Sequence, residues 1–66
     1  MDEQTMIEDL RINERFLMAG QTYVVINVDY KFDYNHYVVT ARSQDTVLYT
    51  MLELKIQSRT PFRTLG

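Results

Sequence analysis

The sequence predicts a mainly β protein, a small antiparallel β-barrel or curled sheet of about four or five strands with a short helical turn before it. Three observations carry that expectation. The chain has 66 residues, room for one small domain that buries only roughly 60% of its unfolded surface. Its richest β-branched and aromatic runs alternate at period 2. Short clusters of Gly, Asn, Asp and Ser separate those runs at hairpin spacing.

Composition narrows the function classes. Apolar residues make up 45% and charged residues 24% of the chain, the usage of a folding rather than a disordered sequence. Seven basic against nine acidic residues give a net charge of −2, so no bulk positive field draws in nucleic acid or an anionic membrane. With no cysteine, disulfides, thiolate nucleophiles and Cys-ligated clusters are all ruled out. No stretch approaches the ~18–20 apolar residues of a membrane span, and Met1-Asp2-Glu3 lacks the basic flank and apolar run of a signal peptide. A cytoplasmic location is expected.

Residues 1–14 carry five acids (Asp2, Glu3, Glu8, Asp9, Glu14) against Arg11 alone. Thr5 followed by Glu8 fits a capping box, and Met6, Ile7 and Leu10 give the short turn one apolar edge. Next, Phe16-Leu17-Met18 is closed by Ala19-Gly20-Gln21, a hairpin signal because Gly accepts positive φ freely. Gln21 to Tyr30 is the clearest strand, with Val24, Ile26, Val28 and Tyr30 on one face and Tyr23, Val25, Asn27 and Asp29 on the other. Lys31 to Asn35 reads as a hairpin loop, His36 to Arg42 as the answering strand and Ser43 to Thr46 as a turn. From Val47 to Leu54 a strand is favoured, since period 2 runs on to Ile56, although Leu48, Met51, Leu52 and Lys55 also suit a helix. The basic tail, residues 58–66, holds Pro61 and reads as an edge or extended arm, in part flexible.

The order Asp9-Leu10-Arg11-Ile12-Asn13-Glu14-Arg15-Phe16, then Ala19-Gly20 and the Val-rich run to Val28, resembles the opening of SH3-like barrels of the KOW and Tudor kind. It is also similar to short phage and bacterial proteins. In such openings Asn13 stands at a position usually held by Gly, and Asn tolerates positive φ. The resemblance implies an SH3-like barrel and a regulator or inhibitor that docks on a partner protein. No cofactor is expected.

Little in the chain points to catalysis or a metal. His36 is the only histidine, and Asp29, Asp33 and Asn35 beside it lack the ligand spacing of a metal loop. Ser43 and Ser58 have no nucleophile elbow, and the acid pairs Asp2/Glu3 and Glu8/Asp9 sit where nothing desolvates them. The expectation is a non-enzyme. The concentrated feature is aromatic: Tyr30, Phe32, Tyr34 and Tyr37 fall around one hairpin. Tyr30 and Tyr37 read as cross-strand partners over the core, whereas Phe32 and Tyr34 sit in a polar connector where exposed aromatics anchor protein interfaces.

The expected partner-binding set is therefore Phe32, Tyr34, Tyr30, Tyr37 and Lys31. Two other uses of the rings are stacking on single-stranded bases, with Lys31, Arg42, Lys55, Arg59 and Arg63 reaching phosphates, and a cage around a cationic side chain closed by Asp29 or Asp33. The net charge disfavours the first. The acidic start and basic tail attract one another, and a thin core with open edges favours a homodimer that pairs edges or swaps a terminus. A third class, a structural subunit of a larger assembly, is compatible with the same features.

Overall fold

The computed structural model describes residues 2–45, Val47 and residues 50–65. Six antiparallel strands form one sheet: β1 (Asp2–Met6), β2 (Arg15–Met18), β3 (Gln21–Lys31), β4 (His36–Ser43), β5 (Met51–Ile56) and β6 (Pro61–Leu65), in the order β1-β6-β2-β3-β4-β5. The mainly β architecture is the expected one. The sheet is open, with β1 and β5 at its two edges, so the curled sheet rather than the closed barrel is the form realised.

The hairpins follow from local chemistry. Ala19 (φ 52°) and Gly20 (φ 75°) are the two central residues between Met18 and its partner Gln21, the pair of positive φ angles that matches a two-residue turn to strand twist. Asn13 also has positive φ, 73°, a conformation that Asn tolerates. Its N–H donates to the Val25 carbonyl at 2.8 Å, and the Val25 N–H donates to the Glu14 carbonyl at 2.9 Å. The β3–β4 loop, Phe32 to Asn35, closes with Asn35 at φ 56°.

Strand β3 departs from simple alternation. Its pairing with β4 slips between Val25 and Asn27, leaving Ile26 as the extra residue of a bulge. Before the bulge Tyr23 and Val25 face the core. After it, Val28 does, opposite Val39, and the exposed Tyr30 continues that face opposite Tyr37. The expected face of Val24, Ile26, Val28 and Tyr30 is thus corrected: the insertion of one unpaired residue moves the inward parity from odd to even. Ile26 itself is exposed.

The core joins both ends of the chain. Ile7, Leu10, Phe16, Tyr23, Val25, Val39, Ala41 and Phe62 are buried, and Leu52, Leu54 and Ile56 of β5 pack against them. The Phe16 ring stacks on Tyr23 at 5.7 Å and meets Phe62 edge-on at 5.2 Å.

The N-terminal turn is present in a tighter form, a 3-10 turn over Ile7–Asp9, and the capping box expected there does not form. Thr5 lies in β1 and its hydroxyl meets that of Thr64 at 2.8 Å, while the Glu8 carboxylate accepts the Arg59 N–H at 3.0 and 3.2 Å. Both side chains are taken by the far end of the chain rather than by their own turn. The tail is likewise no free arm: β6 lies between β1 and β2, with Pro61 as its first residue, where a missing N–H is tolerated. The acidic start and basic tail therefore meet within one chain.

Residues 51–56 are a strand and not a helix. Val47 lies in a turn, and the expected strand positions Leu48 and Tyr49, with Thr46 of the preceding turn, fall outside the described residues.

Candidate functional site

The β3–β4 hairpin runs the length of the molecule. Eleven residues at ~3.3 Å each span about 36 Å, close to the longest dimension of 37 Å. Burial fades along it: β3 is buried at Tyr23 and Val25, half-buried at Val28 and exposed from Asp29 onward. On the β3 side the last third of the hairpin therefore stands beyond the buried core, while Tyr37 of β4 packs against the edge of that core.

All five expected residues lie on that last third or its loop, but they do not form one cluster. Tyr30 and Tyr37 are directly opposed in the ladder, their rings 4.8 Å apart, and Phe32 meets Tyr30 edge-on at 6.3 Å. Tyr34 instead lies against His36, centroids 5.8 Å apart, and His36 pairs with Lys31 on the opposite face of the sheet. One tip thus carries two aromatic groups, Tyr37-Tyr30-Phe32 on the inner face and Tyr34-His36 on the outer. The role of His36 as support for Tyr34 is not visible in its position in the sequence, because the stacking depends on how the loop reverses.

Exposure separates supports from free rings. Phe32 is 84% and Tyr34 75% exposed, against 42% for Tyr30 and a half-buried Tyr37. The Tyr30 hydroxyl donates to Asn35 Oδ1 at 2.8 Å, tying the ring to the residue whose left-handed backbone closes the loop. Lys31 is held by Asp29, Nζ to Oδ2 2.9 Å, and this bond raises its pKa above the ordinary 10.5. Partial burial, with the charge of Glu8 and the neighbouring Tyr30, raises the Tyr37 phenol above its ordinary 10.0. Glu8 comes near Tyr37 only through the fold.

Four of the residues weighed for other chemistry, Asp29, Asn35, His36 and Ser43, have partners of their own. Asp29 binds Lys31, Asn35 accepts from Tyr30 and His36 faces Tyr34. Ser43 is buried, its hydroxyl donating to the Asp45 carbonyl at 3.0 Å and accepting the Thr50 N–H at 2.9 Å. A polar recess of about 630 Å³ beside it is lined, among the described residues, by Gln21, Thr22, Ser43, Gln44, Asp45 and Thr50, amides and hydroxyls with one carboxylate. Compared with protein-family models, curated proteins and solved structures, the chain matches none.

Proposed function

We propose that this chain is a noncatalytic protein-interaction module, a small regulator or inhibitor type of domain, whose β3–β4 hairpin docks on a partner protein. The observation that carries this reading is the exposure of Phe32, 84%, at the end of a hairpin that stands clear of the core. A ring left in water costs solvation free energy that burial in a partner pocket recovers, at about 25 cal/mol per Å². Its neighbours suit an anchor: Tyr30 backs Phe32 edge-on, Tyr37 backs Tyr30, and Asn35 holds the Tyr30 hydroxyl. The ordering cost is met in the free protein, which favours binding. Tyr34 on the opposite face provides a second contact, so the tip suits a cleft that closes on both sides. Lys31, which a base-stacking role needs for phosphate, is paired with Asp29.

The test is capture from nuclease-treated lysate of the source organism with wild type and the Phe32→Ala/Tyr34→Ala variant side by side. A protein retained by wild type and lost by the variant is expected, with melting unchanged because neither ring contributes to the core. Equal capture by both, or a variant that melts markedly earlier, overturns the assignment. Single variants then show which face of the tip dominates.

A further inference from the structure

Strand β5 pairs with β4 on one side and forms an edge of the sheet on the other. In an antiparallel ladder, residues bonded to the neighbour alternate with residues whose N–H and C=O point away. The Ser43 N–H donates to the Thr50 carbonyl at 2.8 Å, and this sets the phase. With Ala41 opposite Leu52, Val39 opposite Leu54 and Tyr37 opposite Ile56, those three β5 residues direct their backbone groups to β4. Glu53 and Lys55 direct theirs to the open edge. Side chains alternate in the same rhythm: Leu52, Leu54 and Ile56 are half-buried on the inner face, and Glu53 and Lys55 are exposed on the outer.

We propose that β5 pairs antiparallel with β5 of a second copy of this chain, about a two-fold axis at Leu54, joining two six-stranded sheets into one. Backbone bonding requires that outward-facing residues oppose outward-facing residues, and this also keeps the Leu and Ile side chains on the inner face. Charge then selects the register. Centring the axis on Glu53 or on Lys55 sets like charges in direct opposition, which is destabilising. Centring it on Leu54 sets Glu53 against the second copy's Lys55 and Lys55 against the second copy's Glu53. On the inner face Leu54 meets Leu54 and Leu52 meets Ile56, covering surface that each half-buried side chain exposes alone. Strand β5 is complementary to its own reverse in both charge and apolar pattern, which points to a second copy as the occupant. Self-pairing also covers an edge that would otherwise be a template for aggregation.

The arrangement leaves the hairpin tip free, because Tyr37 and Ile56 mark the end of β5 nearest the tip and the second strand runs the other way. The two tips point to opposite ends of the joined sheet.

Sedimentation equilibrium from micromolar to millimolar chain tests this with wild type, E53K, K55E and the swapped E53K/K55E, each checked for folding by circular dichroism. Wild type and the swapped variant are expected to reach twice the 7.9 kDa chain mass. Each single reversal acts twice through the two-fold axis and weakens the dimer roughly tenfold or more. Monomeric wild type throughout, a dimer indifferent to single reversals, or failure of the swap to restore association overturns the proposal. The Phe32→Ala/Tyr34→Ala variant should associate as wild type does, so loss of partner capture and loss of dimerisation are separable.

Discussion

Five described residues adopt positive φ: Asn13, Ala19, Gly20, Asn35 and Arg59. Four of them have identifiable compensation. Asn suits the left-handed region, Gly carries no penalty, and the Arg59 N–H is held by both Glu8 oxygens. Ala19 has none, and a left-handed alanine costs roughly 1–2 kcal/mol. Ala19→Asn should therefore stabilise the fold by up to about 1 kcal/mol in urea titration, since Asn-Gly is the favoured pair for this turn.

The two shifted ionisable groups work in one direction. Tyr37 and Lys31 both have raised pKa values in the folded state. The Tyr37 phenol is held neutral, so stability falls once the unfolded chain ionises first, above pH 10.0. The Lys31 contribution is complete below 10.5 and is lost as pH rises through its higher folded value. Alkaline unfolding should therefore begin above these values, and Tyr37→Phe should flatten its onset when urea midpoints are compared across that range.

At the scale of elements, β6 was the least legible part of the chain. Residues 58–66, with Pro61, Arg59 and Arg63, read as an edge or extended arm, yet Phe62 and Thr64 are buried and the strand separates β1 from β2. A five-residue strand with two buried positions, one of them the polar Thr64, carries too weak a period to be found alone. Its partner residues, Thr5 opposite Phe62 and Phe16 opposite Thr64, lie some fifty residues away. Ending the chain at Thr60 should expose both flanking strands and abolish cooperative melting, seen as loss of the thermal transition by circular dichroism. The bulge at Ile26 was hidden for a different reason: a run of Val and Ile looks the same on both faces, so nothing in its composition marks the residue that steps out of the ladder. The hairpin turns, by contrast, are set by one or two residues each and fall where Ala19-Gly20 and Asp33 to Asn35 place them.

For the molecule as a whole, few side chains hold a large share of the stability. A core of this size supplies rarely more than ~3–5 kcal/mol net, and Phe16, fully buried, contacts Tyr23 and Phe62 across three strands. Phe16→Ala, at about 3–5 kcal/mol, should leave the chain unfolded at room temperature. The shape also separates labour: the core gathers at one end of the long hairpin, so the tip is free to be shaped by contact with a partner. In a β5-paired dimer the tips face opposite ways and serve two partner molecules rather than two sites on one.

What the sequence by itself determined is the local chemistry: a mainly β chain, the two hairpins from β2 through β4, the opposition of Tyr30 and Tyr37, and the exposure of Phe32 and Tyr34. Each rests on residues close together in the chain. Only the tertiary structure decided that the tail fills the sheet between β1 and β2, that β3 changes its inward parity at Ile26, that Glu8 serves Arg59 rather than its own turn, and that Phe32 and Tyr34 face opposite ways. Those outcomes depend on strand pairing between distant residues, where the free energy of joining two segments depends on register and burial that neither segment encodes alone.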